Sequence, residues 1–419
     1  MANIGTITSQ NRGTQTSVPG DMEAASQRLF QLLNRHDGDR PAAIATHAFS
    51  VSEARAIAQM IEGGGYVDAK YKTDWGYHVP KGLSGLSATI DVFCDDSKID
   101  GIFLSVGGSH GRVIGEGGEK KVYACLNYST GEPCALLKAL GPPYERHNRS
   151  VAKDTSVWHA MDSWGTGIVV RGGMYPSRKR SGEPRAREIL PYALGGDLFQ
   201  YMREGGRKNL GVEDAVNVAL QLTNGLKKFH ESGRAHRDIK ADNVLNFRKD
   251  GVNNFQIVDF GFTQEAGESI PLVGTPEYFC PRSIERILTG ERTLSFEEAK
   301  KLDIYALGCV FFNMISGDFH PNQSRMKSLY VAAKPEASDL EYLDHVKNNW
   351  TLTKEKTLLM YKSGSHIQLY YDVVFNMMDP DPSKRPSLDQ VLGSMQEIKS
   401  RQAPSNSGSS NGSVTPGSP

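Results

Sequence analysis

One stretch constrains this chain more than any other: His236-Arg237-Asp238-Ile239-Lys240-Ala241-Asp242-Asn243. The apolar pair Val244-Leu245 comes next, then Lys249-Asp250-Gly251-Val252, then Ile257-Val258-Asp259-Phe260-Gly261. Apolar runs on either side of an Asp-Gly turn predict a β-hairpin. Such a hairpin folds the polar cluster before it and the Asp259 turn after it onto one edge. An ordinary turn between a helix and a hairpin is the plain alternative, and it does not account for this set of residues in this order.

Transfer of a phosphoryl group needs few side chains. A carboxylate orients the attacking hydroxyl, metal ions bridge the phosphates, and a cation stands where charge gathers. Asp238, then Asn243 with Asp259, and Lys240 are of those types. In the forms HRDxKxxN and DFG the two segments resemble the eukaryotic-type protein kinase family. The resemblance runs from Arg112 to about Arg401. It implies Asp238 as the hydroxyl-orienting base, Lys240 at the transferred phosphoryl group, and Asn243 and Asp259 as Mg2+ ligands. Gly274-Thr275-Pro276-Glu277-Tyr278 is similar to the segment just past the acceptor residue, where the family's Ser/Thr members bond a threonine to the catalytic Asp and Lys. Lys240 and Thr275 therefore point to Ser/Thr acceptors over tyrosine. Asp303 matches a buried helical residue that anchors the catalytic loop.

The nucleotide half is less marked. Gly115-Glu116-Gly117-Gly118 with Val122 resembles the family's glycine-rich turn over the phosphates of ATP, although glycine clusters by themselves mostly mean turns. Lys138 closes the apolar run Ala135-Leu136-Leu137 and is expected to contact the α- and β-phosphates; snorkelling is the ordinary reading of such a lysine. Its carboxylate partner is expected on the helix after Pro142-Pro143, read as Tyr144 to Trp164. Asp154 shares a stripe with Val151, Trp158 and Met161 at helical spacing, and is preferred to Glu145. Glu188 to Leu198 is similar to the last small-lobe strand and hinge: Pro191 would offer adenine its carbonyl, Ala193 its N–H, Asp197 would bond ribose and Leu245 would lie beneath the base.

The pattern breaks in places. Lys120 stands where the third glycine belongs, which stiffens the turn and makes it more basic. Cys280-Pro281-Arg282 replaces Ala-Pro-Glu, so Arg385 loses its usual acid and is expected to find another, such as Glu285 or Asp381. No hydroxyl residue lies in Ile270-Pro271-Leu272-Val273, where an activating phosphate would sit near Arg237. Independence from loop phosphorylation is the favoured expectation, with Ser269 phosphorylation or mimicry by Glu268 as alternatives.

The rest of the 419-residue chain sets bounds. Lysine plus arginine equals aspartate plus glutamate at 48 each, so no global field recruits nucleic acid or an anionic membrane. Five scattered cysteines without a CxxC pair argue for a reducing compartment. Residues 1–22 and 402–419 are polar, without hydrophobic period, and are expected to be disordered. The start carries no apolar signal segment, and no run reaches membrane-spanning length. A cytoplasmic setting is therefore expected. Because no acidic residue precedes Asp21, the start also resembles that of bacterial effector kinases secreted into host cells, the alternative setting. The basic run Arg178-Lys179-Arg180 reads as a solvated loop, or as a patch for nuclear import or an acidic partner.

The expected architecture is α+β, a two-lobed protein-kinase fold with a small lobe over 107–193 and a large lobe over 194–401. A separate α/β appendage is expected over 23–106, with helices at Met22–Arg35 and after Ser50, and strand-like runs at Tyr66–Val79, Ala88–Phe93 and Gly101–Val106. The expected activity is ATP- and Mg2+-dependent phosphorylation of Ser and Thr on protein substrates. A pseudokinase that binds nucleotide or partners is the rival reading, and a small-molecule kinase of the aminoglycoside or choline type a third. Nothing in the sequence sets an oligomeric state.

Overall fold

A computed structural model describes residues 77–78, 88–95, 98–106, 112–127, 133–141, 144–162, 171–175, 185–248, 251–267, 270–291, 293–318, 320, 323 and 337–402. The expected helices at Met22–Arg35 and after Ser50, the two polar tails, the basic run and the Glu268-Ser269 pair lie outside the described residues. Two units emerge, Met1–Leu198 with Val244–Thr263, and Phe199–Asn243 with Gln264–Pro419.

The first unit is built on one sheet. Its strands are β1 (Tyr77–His78), β2 (Ala88–Asp95), β3 (Lys98–Val106), β4 (Arg112–Glu116), β5 (Lys120–Asn127), β6 (Pro133–Ala139), β7 (Arg171–Tyr175) and β8 (Arg185–Pro191). Their order is β1-β2-β3-β5-β6-β8-β7, with β4 paired to β5, and every pairing is antiparallel. Thr89, Ile90, Val92 and Phe93 are strand formers, so the two expected strands are present. β3 pairs with β5 at Phe103↔Asn127 and Leu104↔Leu126, so the supposed appendage extends the same sheet.

Strand alternation gives the sheet two faces. Tyr123, Cys125, Cys134, Leu136 and Ile189 cluster on one. On the other, Ala139 and Ala186 pack against Val151 of α1 (Tyr144–Asp162). Asn148 Oδ1 accepts the Ala186 N–H at 2.8 Å and ties α1 to β8. The hairpin read from the sequence forms as β10 (Val244–Asn246) against β11 (Phe255–Ile257), in register Val244↔Ile257. It belongs to this first unit: the chain leaves the unit after Leu198, re-enters at Val244 and leaves again at Thr263.

The second unit is mainly helical. Its helices are α2 (Leu198–Arg203), α3 (Val212–Glu231), α4 (Pro281–Leu288), α5 (Phe296–Ser316), α6 (Ala337–Leu359), α7 (His366–Met377) and α8 (Leu388–Gln402), α2 beginning at the unit boundary. α5 is apolar nearly all round, with Leu302, Leu307, Val310, Phe311 and Met314 buried, as befits a central helix. It approaches α7 closely at Gly308, where a Cβ would fall 2.9 Å from Met377 Cβ. The Tyr370 hydroxyl donates to the Phe311 carbonyl at 3.0 Å across the same contact. Among the described residues no helix is long and apolar enough to cross a membrane.

The start of α5 is fixed by a capping box. Ser295 Oγ accepts the Glu298 N–H at 3.3 Å, and Glu298 Oε2 accepts the Ser295 N–H at 2.9 Å. Ser295→Ala should lower unfolding free energy by about 1 kcal/mol, read from the midpoint of a chemical denaturation curve.

Candidate active site

In the second unit the segment before Asn243 is pinned from below by Asp303 of α5. Its carboxylate is buried and accepts the His236 N–H at 2.8 Å and the Arg237 N–H at 2.7 Å. The His230 ring lies 2.9 Å from the same carboxylate. Arg237 needs this anchorage because its φ is +73°, a left-handed conformation that is costly for a residue with a side chain. Gly274 crosses beside it at φ +128°, where a Cβ would fall 2.3 Å from the Arg237 carbonyl, so only glycine fits.

This close crossing brings Thr275 onto the polar cluster. Thr275 Oγ1 donates to Asp238 Oδ1 at 2.6 Å. Lys240 Nζ donates to Asp238 Oδ2 and to Thr275 Oγ1, each at 3.0 Å. Asn243 Nδ2 donates to the Asp238 carbonyl at 2.9 Å and to Oδ2 at 3.1 Å. Asp238, Lys240, Asn243 and Thr275 are thus brought together by direct bonds, with the Asp238 carboxylate held from three sides.

Arg237 is also engaged by the segment before Gly274. Its guanidinium donates to Gln264 Oε1 at 3.0 Å and to the Pro271 carbonyl. Gln264 lies in β12 (Gln264–Glu265), paired with β9 (Arg234–Ala235), and Pro271 in β13 (Ile270–Pro271), paired with β14 (Thr293–Leu294). Amide and carbonyl oxygens thus occupy donors that a phosphate would otherwise attract.

In the first unit, Gly117 N–H donates to the Lys120 carbonyl at 2.9 Å and closes a tight turn between β4 and β5. Gly115 pairs with Val122 across it. The expected bond from Lys138 to Asp154 is corrected. Lys138 Nζ lies 5.3 Å from the centre of the Tyr123 ring, on the sheet face away from α1. Asp154 instead meets Lys120, whose Nζ also lies 2.9 Å from Asp259 Oδ1. The reason is parity. Lys120 stands opposite Ala139 in the β5–β6 register, and opposite residues share a face, so Lys120 is on the α1 side and Lys138 is not. Burial would strip the charge from Lys120, but Asp154 and Asp259 outweigh it and hold its pKa above the ordinary lysine value.

Asp154 has a second duty. Its Oδ1 accepts the Phe260 N–H at 3.1 Å, and Trp158, one turn on, meets the Phe260 ring edge-on with centres 5.2 Å apart. The turn they support has Asp259 at φ +69°. Pro191, Ala193, Asp197 and Leu245 lie along one path of this unit. Pro191 pairs with Cys134, the Ala193 carbonyl accepts the Gly196 N–H at 2.9 Å, and Asp197 bridges to Leu245.

Sequence reasoning misses two contributors. It takes Lys120 only as a stiffening replacement for glycine. It takes Glu188 of β8 only as part of the hinge strand, yet Glu188 is buried 2.6 Å from Thr155 Oγ1, which also lies 3.1 Å from the Val151 carbonyl. Burial, then the nearby Asp154 charge, push the Glu188 pKa well above the usual carboxylate range. An acid a few residues before the hinge in a period-2 strand is the available signal.

The expected acid for Arg385 is corrected as well. Its guanidinium donates to the carbonyls of Asp379 at 2.8 Å and Lys301 at 2.7 Å, and lies 4.9 Å from the Tyr305 ring centre. Glu285 pairs with Arg282 at 3.0 Å on the exposed side. Burial would raise the Cys280 thiol, but the Arg385 charge and hydrogen bonds from Ser283 and Arg385 hold it below the usual thiol range.

The family model for the protein kinase domain matches residues 109–395. The chain belongs to the protein kinase family. Among curated relatives, the dual serine/threonine and tyrosine protein kinases of dog and human are each 28% identical over 303 residues, covering 71% of this chain and 28% of theirs. The chicken protein of that name is 31% identical over 208 residues, 49% of this chain and 20% of its own length. The chain therefore spans between 20% and 28% of the length of these relatives.

Asp303→Ala would leave the His236 and Arg237 N–H groups buried without an acceptor. It should lower stability by about 2–6 kcal/mol, at about 1–3 kcal/mol per unmet donor, in a denaturant titration. A cost under about 0.5 kcal/mol would show that the loop does not depend on this anchor.

Proposed function

We propose that the chain is an active protein kinase that transfers the γ-phosphate of ATP to Ser and Thr hydroxyls of protein substrates. The observation that carries this reading is the Asp238 carboxylate held jointly by Lys240, Thr275 and Asn243. A carboxylate so restrained can accept a hydrogen bond from an incoming hydroxyl and orient it for in-line attack. Lys240, bonded to the same carboxylate, stands ready to offset charge on the moving phosphoryl group. Thr275 has its hydroxyl proton on Asp238 and so shapes the acceptor's place rather than serving as acceptor.

The donor chemistry fits a hard divalent cation such as Mg2+. The Asn243 amide nitrogen is turned to Asp238, which directs its carbonyl oxygen elsewhere, and the Asp259 carboxylate is about one third exposed. Asn243 and Asp259 would each hold the metal, which supplies charge neutralisation at the phosphates. Gly115, Gly117, Gly118 and Val122 would cover those phosphates, and Pro191, Ala193, Asp197 and Leu245 would receive adenosine. Arg237, engaged by Gln264 and Pro271, supports activity without loop phosphorylation. The four described free cysteines, all buried, support a cytoplasmic, reducing setting.

Two alternatives have observations behind them. A pseudokinase would suit the broken Ala-Pro-Glu segment, but the assembled Asp238 cluster opposes it. Dual acceptor choice is suggested by the names of the mammalian and avian relatives, and Thr275 argues against it.

Asp238→Asn should lower the phosphotransfer rate by on the order of 10²-fold or more while ATP still binds; retention of a tenth of the activity would remove Asp238 from its role. Phosphoamino-acid analysis of protein autophosphorylated with labelled ATP should yield phosphoserine and phosphothreonine. Substantial phosphotyrosine would favour dual acceptor choice.

A further inference from the structure

Resting on the kinase reading above, we infer that Lys120 of β5, not Lys138 of β6, is the cation that binds the nucleotide's phosphate chain. The side chain grows from the last residue of the tight glycine turn, so the backbone expected to cover the phosphates and the ammonium expected to neutralise them are one element. Its Nζ is held between Asp154 and Asp259, the same bracket of helix acid and turn acid that would fix a phosphate-binding lysine.

Two features distinguish this arrangement from an inert buried ion pair. First, an ammonium has three donors, and Asp154 and Asp259 account for two, leaving one for a ligand oxygen. Second, Lys120 is 11% exposed while Asp259 is 35% exposed, so the cluster is sealed at Asp154 and open at Asp259. Ala139, opposite Lys120 in the register and buried against Val151, is small enough to let the lysine run along the α1 face. Lys138 has the other parity and the wrong surroundings, on the side of Tyr123. Asp154 then acts as a positioning residue, setting Lys120 and the Phe260 turn with separate oxygens.

Removing Lys120 alone would leave Asp154 buried and unpaired, so Lys120→Met is measured beside Lys120→Met/Asp154→Asn, which neutralises both partners and keeps an acceptor for the Phe260 N–H. Each variant, and Lys138→Met, is titrated with ATP and with adenosine in the full-length protein, with fluorescence or calorimetric detection and a melting curve. Both Lys120 variants should weaken ATP by on the order of tenfold or more and adenosine by less than about twofold, because only ATP presents phosphates. Lys138→Met should weaken ATP by less than about threefold. Equal losses for ATP and adenosine in the double variant would reduce Lys120 to a structural role. A larger ATP loss at Lys138 would overturn the inference and restore the usual lysine. Wild-type protein that binds neither ligand would instead defeat the kinase reading itself.

Discussion

The Asp238 loop depends on one buried carboxylate. Asp303 sits within α5, a largely buried apolar helix of the second unit, and accepts two consecutive backbone N–H groups from His236 and Arg237. That acceptor helps offset the strained backbone of the left-handed Arg237. With it, Arg237 O lies against Gly274, and the closeness of those two segments brings Thr275 within bonding distance of Asp238 and Lys240. A rigid helix thus sets the geometry of a loop, and the loop sets the geometry of the segment beyond it.

The first unit solves a different problem, that of burying an ammonium beside carboxylates. A single buried charge is costly, and pairing offsets the cost only when further hydrogen bonds complete the site. Lys120 has two acids, and Asp154 divides its oxygens between Lys120 and the Phe260 N–H. Glu188 adds a third carboxyl group behind them, bonded to Thr155, and burial pushes its pKa well above the usual carboxylate range. Arg385 shows the other solution to a buried cation. Main-chain carbonyls and an aromatic face replace the missing acid, which explains how Arg282 can stand where a glutamate is usual without opposing another arginine.

Much of this was legible in the chain. The hairpin at 244–257, the strand pair at 88–106 and the helix from Tyr144 all arise from local patterns of apolar residues, turns and caps. Asp238, Lys240, Asn243 and Asp259 could be named because phosphoryl transfer needs those side-chain types, and a hairpin of fixed length separates the Asp238 loop from the Asp259 turn. Asp154 could be singled out because an acid on an otherwise apolar helical stripe must find a partner.

Which partner it finds is a different kind of fact. By its residues alone the chain determined the family, the strand pair at 88–106, the helix from Tyr144, the hairpin at 244–257 and the identity of the polar groups at the Asp238 loop. Tertiary structure alone decided that Lys120 and not Lys138 meets Asp154, that strands 88–106 continue the same sheet, and that Arg385 rests on carbonyls. The physical reason is that adjacent residues of a strand point to opposite faces, and a sequence does not state which face a distant helix covers. A one-residue change in the β5–β6 register would set the two lysines opposite each other on one face. Only the pairing of Lys120 with Ala139, and the packing of Ala139 against Val151, fixes the choice.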